Sequence, residues 1–260
     1  MKVTILNPEV VRNLAENHGQ FACVCYGTDE KRAFPVGKRC EENGHWSGSR
    51  CEYIKFKIED VDRGTCEQML RHEIGVSVPY AYSDNWNFSD IDCIPADQIV
   101  KNMASFRYID KDGFKWETPS VIRECEEAFE LYSDTMAFIN RRRKMIMDKL
   151  IAAGVSKGSA NEAANMLLTR ATLSEFVIGF TPEALIRFMH KRLCNRVQEF
   201  ISDMALLMKE KVRALNPTFA RYLECQCEYL MWCPEGKNSC GVYPTKEQLV
   251  EQLAQGKGEA

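Results

Sequence analysis

The sequence predicts a single α+β domain, and three observations support this class. First, the 260 residues are 45% hydrophobic and include 13 Phe, 9 Tyr and 4 Trp, so the chain can bury a large core and is not predominantly disordered. Second, one segment alternates apolar and charged residues with the period of a strand, while longer segments repeat apolar residues with the period of a helix. Third, no Gly/Ser-rich linker, internal repeat or low-complexity segment divides the chain.

The first elements are a predicted strand at residues 2–7 and a short predicted helix at residues 10–17. The clearest strand is predicted at residues 53–58, where lysines separate three apolar residues that share one face: Ile54, Phe56 and Ile58. This alternation is typical of a half-buried strand. Asp60 or Asp62 then offers an N-cap for a helix that runs to about residue 72.

The segment 74–86 contains too many Gly, Pro and Ser residues for a helix, and it predicts an ordered loop. A long helix is predicted to begin after Thr118-Pro119-Ser120 and to end at Gly154, because apolar residues recur at spacings of three and four. The run of three arginines at residues 141–143 lies on this helix, where a solvated face is favoured over a phosphate site.

Residues 161–168 predict another short helix. Thr181 and Pro182 mark a helix start, since a capping hydroxyl precedes a proline at the first helical position. From there an apolar stripe predicts one continuous helix to about residue 215, with a tail after Pro217. The expected organisation is a domain at residues 1–217 and a cysteine-containing tail at residues 218–260.

Charge and hydropathy exclude several classes of protein. The net charge of −3 gives no electrostatic reason to expect nucleic acid as the main partner. No run approaches the ~20 apolar residues of a membrane-spanning helix. The start of the sequence lacks a charged segment followed by an apolar one, so no secretory signal is visible and a cytoplasmic protein is expected.

Two groups of residues are candidate anion sites. Gln68, Arg71 and His72 share one face of a predicted helix. This face either binds a phosphate or a planar heterocycle, or it is an ordinary polar helix end. Arg192 and Arg196 are four residues apart on the last predicted helix, where an anion between them would be favourable, or where they form a pair of surface arginines. No nucleotide-binding glycine motif, nucleophile elbow or HExxH zinc motif is present.

Four motifs in a fixed order resemble the flavin-dependent thymidylate synthase family. The family pattern GHxSxxEH, followed by a strand and by a Gln three residues before an RHR triplet, is matched by GHWSGSRCEYIKFKIEDVDRGTCEQMLRHE at residues 44–73. Further on, HKRLCNRVQEFI at residues 190–201 is similar to the family's HRxCNRAQWEI. The ending WCPEGKNSCG at residues 232–241 is similar to that of a clostridial-type subgroup. The resemblance covers about residues 20–245.

The resemblance implies a central antiparallel sheet packed by long helices, and a homotetramer with active sites at subunit interfaces. It also implies reductive methylation of dUMP to dTMP with FAD, methylenetetrahydrofolate and NADPH, in which the reduced flavin supplies the hydride and no cysteine nucleophile is required. No catalytic residue is assigned. Carried over by position, the residues expected to contact dUMP are Gln68, Arg71 and Arg192. The residues expected near FAD are His45, Ser47, Arg71, His72 and Arg196.

Several positions depart from the family pattern. The third residue of the triplet is Glu73 instead of Arg, and Ala81 stands where the family has Ser. Asn165 stands where an Arg should clamp the nucleotide, and Glu183 replaces the Arg of an Asn-x-Arg motif. Arg50 replaces the Glu of GHxSxxEH. These changes leave two alternatives open: a non-catalytic tetrameric homologue with a binding or regulatory role, and a related enzyme that modifies another pyrimidine nucleotide.

Four of the 12 cysteines crowd the C-terminus: Cys225, Cys227, Cys233 and Cys240. Four thiolates at this spacing could hold a structural Zn²⁺, although the paired CxxC motifs common in zinc sites are absent. Reduced cysteines packed as small hydrophobic residues are the favoured interpretation over zinc, and a disulfide is the least favoured of the three.

Overall fold

The computed structural model describes residues 1–70, 99–103 and 113–256, and the fold is α+β as predicted. Four strands form one sheet in the order β1-β2-β4-β3. Their bounds are β1 (Lys2–Ile5), β2 (Ile54–Asp62), β3 (Ile99–Met103) and β4 (Leu173–Phe180). Strands β1 and β2 are antiparallel, since Leu6 N donates to Lys55 O at 2.8 Å while Lys2 forms an ion pair with Glu59. Strands β2 and β4 are also antiparallel, because just beyond them Arg63 N donates to Thr172 O and Gly64 N donates to Arg170 O.

The helices before β3 are α1 (Pro8–Arg12), α2 (Leu14–Tyr26), α3 (Ala33–Glu42) and α4 (Arg63–Leu70), with short 3₁₀ turns at Glu30–Arg32 and Ser47–Cys51. Those between β3 and β4 are α5 (Ser120–Arg123), α6 (Glu126–Ala152) and α7 (Lys157–Asn165). Those after β4 are α8 (Pro182–Arg192), α9 (Glu199–Leu215), α10 (Pro217–Ala220), α11 (Gln226–Leu230) and α12 (Lys246–Gly256), with a 3₁₀ turn at Gly236–Asn238. In the described part of the chain, none of these helices is long and apolar enough to cross a membrane.

The described residues fall into two compact units. The first unit comprises residues 1–2, 57–70, 101–103 and 113–177, and the second comprises residues 3–56, 99–100 and 178–256. The division into residues 1–217 and 218–260 stays a prediction.

Within the second unit, helices α2 and α3 pack at van der Waals distance through two glycines. A Cβ atom on Gly19 would lie 1.7 Å from the carbonyl oxygen of Ala33, and one on Gly37 would lie 1.8 Å from that of Ala15. Because the opposing atoms belong to the backbone, no side-chain rotation could make room for a larger residue. The loop at residues 43–47 follows the end of α3.

The aromatic core of the second unit is built from β2, β4 and α8. Phe180 lies between Phe56 and Phe188, with ring centroids 6.4 and 5.1 Å away, and all three side chains are buried. Helix α8 begins as predicted, because Thr181 Oγ1 accepts a hydrogen bond from Ala184 N at 3.3 Å and Pro182 occupies the first turn. The alternating burial of Ile54, Phe56 and Ile58 confirms the predicted strand.

In the first unit, α6 packs against α7 through Met147, Ala160 and Ala164. Arg141 and Arg142 are exposed as predicted, but the prediction of a solvated face is wrong for Arg143, which is only 1% exposed. It packs inward because its guanidinium lies 4.8 Å from the ring centroid of Phe114 and donates a hydrogen bond within the unit.

Other predicted elements need correction. The continuous helix over 182–215 is wrong: α8 ends at Arg192, and α9 begins at Glu199 after Gln198 adopts an extended ψ of 136°. The long helix after Pro119 is interrupted at Cys125, which is also extended, so that α5 and α6 are separate. Helix α3 and strand β4 were not predicted, although Phe176, Ile178 and Phe180 alternate along β4 in the manner of β2.

Candidate functional site

The loop that carries His45 and Ser47 leaves the end of α3 through Gly44, whose φ of 69° favours glycine. The backbone N–H of His45 donates to the carbonyl of Cys40 at 2.8 Å, which fixes the loop against the helix. The side chains of His45 and Ser47 are both exposed, and Ser47 opens the 3₁₀ turn that leads to β2. The loop therefore presents an imidazole and a hydroxyl to solvent on a rigid turn.

The ring of a buried histidine packs against this loop. His18 of α2 is 1% exposed and stacks on Trp46 at 6.0 Å, and Trp46 packs edge-on against Phe219 and Tyr222. Burial lowers the pKa of His18, although a hydrogen bond to the backbone of His45 opposes this effect. His18 is thus a neutral ring that positions the His45 backbone.

A cleft of about 460 Å³ opens beside His45. The other side chains that line it come from the end of α2, from the connection that includes the 3₁₀ turn, and from α3, and they include Tyr26, Arg32 and Arg39. Both arginines are exposed, and neither forms an ion pair with any residue that the structure describes. Two guanidinium groups, an imidazole and a phenol around one concave surface can bind an anion.

Glu41 lies on the other side of α3, 2% exposed, and its Oε1 atom has no hydrogen-bond partner among the described residues. Burial, together with repulsion from Glu42, raises the pKa of Glu41 to about 7. This carboxyl group is therefore close to half-protonated at neutral pH, one turn before the His45 loop.

Arg192 and Arg196 do not lie on one helix, so the predicted spacing of four along a helix is wrong for them. Arg192 is the last residue of α8, and burial lowers the pKa of its half-buried guanidinium. Arg196 is exposed in the turn between α8 and α9 and lines a cavity of about 390 Å³ with His190 and Lys191. Both arginines belong to the second unit, and only Arg196 lines this cavity.

The comparison with known proteins identifies the family. The family model described as "Thymidylate synthase complementing protein" matches residues 13–218, more than half of the chain. The chain belongs to the flavin-dependent thymidylate synthase family.

Curated relatives carry the name flavin-dependent thymidylate synthase. The protein of Nitratidesulfovibrio vulgaris is 28% identical over 209 residues, which cover 80% of this chain and 76% of that protein. The protein of Geobacter sulfurreducens is 24% identical over 211 residues, which cover 81% of this chain and 78% of that protein. The protein of Saccharolobus solfataricus is 23% identical over 185 residues, covering 71% and 59% of the two chains.

Two departures from the flavin-dependent thymidylate synthase pattern are ion-pair partners. Arg50 Nε lies 2.7 Å from Glu183 Oε2, so the Arg that replaces a family Glu faces the Glu that replaces a family Arg. Although burial alone would raise it, the pKa of Glu183 is lowered because Arg50 and Arg187 both bind the carboxylate. The charges at positions 50 and 183 are exchanged, so these two positions together still contribute one cation and one anion.

A third departure from the family pattern is internal. Asn165 is 8% exposed, and its Oδ1 accepts a hydrogen bond from Arg143 Nη1 at 2.8 Å. Because Arg143 is itself buried, this guanidinium cannot reach a ligand in place of the family Arg.

Gln68 lies on α4, half-buried, in the first unit. The N-cap of this helix is Asp62, as predicted, since its Oδ1 accepts from Thr65 N at 2.8 Å. The remaining predicted site residues of this stretch, Arg71 and His72, lie outside the described residues, as do Glu73 and Ala81.

Another cysteine, which the sequence did not single out, lies beside the C-terminal cysteines. Cys194, in the turn before Arg196, lines the same small cavity as Cys225, Cys227, Cys233 and Cys240. All of them are free thiols, so the disulfide interpretation is wrong for these residues. Within residues 1–70, 99–103 and 113–256, no three His, Cys, Asp or Glu side chains are placed so that they could hold a metal ion together.

Sequence reasoning also missed His18 and Glu41, which precede the GHxS motif and belong to none of the motifs. The exchanged pair left a signal, since Arg50 and Glu183 depart from the family pattern with opposite sign. Two opposite charge reversals in one family member indicate a contact between the positions.

Proposed function

We propose that this chain is an enzyme that methylates dUMP to dTMP, with FAD as cofactor and methylenetetrahydrofolate and NADPH as co-substrates. The observation that carries the proposal is the cleft beside the GHxS loop, where His45 lies with Arg32 and Arg39. All the small molecules in this reaction carry phosphates or carboxylates, and an arginine-lined cleft is the surface that such ligands require.

The residues around the loop fit a flavin nucleotide, because the donor set is exposed, cationic and rich in N–H and O–H groups. His45 and Ser47 of this loop would hold the cofactor together with Arg196, which lines a different cavity from His45. His72 and Arg71 are further candidates. When bound, the reduced flavin supplies the hydride, while the protein supplies binding and orientation. His45 is oriented by its backbone contacts to Cys40 and His18 rather than by its own side chain.

Gln68, Arg71 and Arg192 are the proposed dUMP contacts. Arg192 is suited to this role because its half-buried guanidinium is partly dehydrated, as its lowered pKa indicates, and still carries a charge at neutral pH. A partly buried cation binds a phosphate more strongly than an exposed one, since less water competes for the contact.

Cys66, which lies on α4 near Gln68, is a poor nucleophile. Burial raises the pKa of its thiol to about 12, so it holds almost no thiolate at neutral pH. A flavin route that needs no cysteine nucleophile is consistent with this value.

We also propose that the chain assembles as a homotetramer. Helix α6 leaves several large apolar side chains exposed, including Leu131, Phe138 and Ile146. A row of exposed apolar residues on a 27-residue helix is typical of a surface covered by a partner. Sedimentation of the purified protein measures the subunit number, and a monomer at micromolar concentration would contradict this assignment.

The test of the activity is flavin loading followed by dTMP formation. The purified protein is expected to be yellow and to convert dUMP when supplied with FAD, NADPH and methylenetetrahydrofolate. In Arg39→Ala the KM of an anionic ligand should rise about tenfold or more, because one charged hydrogen bond is lost. Lys38→Ala is the matched control, since Lys38 is exposed on the same helix but does not line the cleft. A colourless protein that takes up no FAD would contradict the proposal.

The second candidate is a non-catalytic homologue that keeps the fold for binding or regulation. The observation that favours it is Asn165, which replaces a nucleotide-clamping Arg and is held internally by Arg143. This candidate predicts that FAD or dUMP binds without dTMP formation. Oxidation of reduced flavin that depends on dUMP would count against it.

A further inference from the structure

Five cysteines from separate segments line one cavity of about 70 Å³ in the second unit. Cys194 comes from the turn after α8, far in sequence from the others. Cys225 and Cys227 lie at the start of α11, and Cys233 and Cys240 lie in the segment that follows it. The sequence alone grouped the last four cysteines, and the fold places Cys194 at the same cavity.

Two of the sulfur atoms are in direct contact, since Cys225 Sγ and Cys227 Sγ lie 3.3 Å apart. The thiols of Cys194, Cys233 and Cys240 line the same cavity as this pair. The geometry therefore gathers five thiols around one small volume.

The cavity is lined by charged side chains, including Arg196 and Glu235, as well as by apolar ones. Cys225 and Cys233 are buried, whereas Cys240 is exposed. Packing as a small hydrophobic residue therefore accounts for the two buried thiols but not for Cys240.

The backbone around the thiols is fixed by hydrogen bonds. Cys225 N donates to Glu228 Oε2 at 2.8 Å, and Cys233 N donates to Pro244 O at 2.7 Å. Gly236 and Gly241 adopt φ values of 53° and 83°, which fold the intervening segment back towards the cavity. Ligands on a fixed backbone lose little conformational entropy when they bind an ion.

We propose that these five cysteines form a structural zinc site in which four of the thiolates bind one Zn²⁺. Tetrahedral zinc with Zn–S bonds of about 2.3 Å places sulfur atoms about 3.8 Å apart, near the separation of Cys225 and Cys227. The thiols as positioned do not converge in threes. Rotation between staggered χ1 rotamers moves a sulfur by about 3 Å, which is comparable with the size of the cavity.

The site would tie the turn at Leu193–Val197 to the C-terminal segment. Cys194 lies two residues before Arg196, a proposed flavin contact, so a bound ion would hold the backbone that carries this guanidinium. The inference itself does not rest on the proposed reaction, because metal content can be measured without flavin or substrate.

The test is metal analysis of the full chain, purified without chelators from zinc-supplemented cells. We expect about one zinc per chain in the wild type, and less than about 0.2 in the Cys225→Ser/Cys227→Ser variant, because three thiolates cannot complete a four-sulfur site. The matched control is Cys25→Ser/Cys125→Ser, two exposed cysteines that do not line the cavity, which should keep the full zinc content.

A second measurement uses the wild type alone, so its result does not depend on whether the variant folds. Replacing zinc with Co²⁺ should give thiolate-to-metal charge-transfer bands and the intense visible bands of tetrahedral cobalt. Wild-type protein with less than about 0.2 zinc per chain and no cobalt spectrum overturns the proposal. Iron with inorganic sulfide at this site, or equal zinc content in the two double variants, overturns it as well.

Discussion

The exchanged ion pair between Arg50 and Glu183 makes a quantitative prediction about coupling between two positions. Arg50→Glu places a second carboxylate next to Glu183, and Glu183→Arg places an arginine next to Arg50 and Arg187. Each single reversal should destabilise the protein. The double reversal restores an Arg–Glu pair in the polarity of the family pattern, so the two changes should not be additive.

The exposure of the two side chains sets the magnitude. The Arg50 side chain is 51% exposed and that of Glu183 is 13% exposed, so solvent screens the pair only from one side. An exposed pair contributes up to about 1 kcal/mol, and a partly buried one with good geometry somewhat more. We therefore expect each single reversal to cost about 2 kcal/mol of unfolding free energy. The double reversal should recover only about half of the summed cost, because Arg187 then lies next to an arginine at position 183.

Urea unfolding of the wild type, both single variants and the double variant measures the coupling energy. Raising the salt concentration to about 1 M should reduce it, since screening acts on the exposed side of the pair. The exposed pair of Lys57 and Glu175, at 37% and 48% exposure, serves as a control cycle with an expected coupling below about 0.5 kcal/mol. A coupling below about 0.3 kcal/mol for Arg50 and Glu183 would refute the argument that the two departures compensate each other.

Two further predictions concern stability. Burial raises the pKa of Glu41 to about 7, above its value in the unfolded chain. The folded state therefore holds the proton more tightly, and this contribution to stability is fully present below about pH 4.5 and is lost as the pH rises to 7. Relative to wild type, Glu41→Gln should therefore gain up to about 3 kcal/mol of unfolding free energy between pH 4.5 and 7.5, and a constant difference would contradict this. Gly37→Ala should cost about 3 kcal/mol or more in urea unfolding, because its Cβ would meet the carbonyl oxygen of Ala15 at 1.8 Å. Gly158→Ala, with nothing within 4 Å of the new atom, should be neutral or stabilising, and equal costs would contradict the packing argument.

Local patterns in the sequence predicted the elements whose cause is local. The alternation at Ile54–Ile58, the cap at Asp62 and the Thr181–Pro182 helix start are each determined by a few neighbouring residues, and each is confirmed. The break between α8 and α9 was missed because the apolar spacing continues across it, while the backbone turns to place Cys194 against the C-terminal cysteines.

Buried polar residues could not be predicted because their partners are distant in sequence. Arg143 belongs to a run of arginines that indicates a surface, and it is buried because Phe114 and Asn165 lie beside it. His18 is a single histidine on a helix, and its role depends on Trp46 and on a loop that follows the next helix. The residues that support the His45 loop were missed because the family motifs mark proposed ligand contacts and not the residues packed beneath them.

The departures from the family pattern do not carry equal weight once their contacts are considered. Arg50 and Glu183 exchange charges across 2.7 Å and leave the number of cations on that surface unchanged, so counting each as a lost contact would overstate the damage. Asn165 removes a cation outright, and the buried Arg143 beside it cannot replace the lost contact. Because a charged hydrogen bond to a ligand contributes about 2 kcal/mol, or about thirtyfold in affinity, this loss falls on nucleotide binding in the proposed enzyme. In the proposed enzyme the flavin contacts are at the His45 loop and do not include Asn165, so the expected pattern is weak nucleotide binding with retained flavin binding.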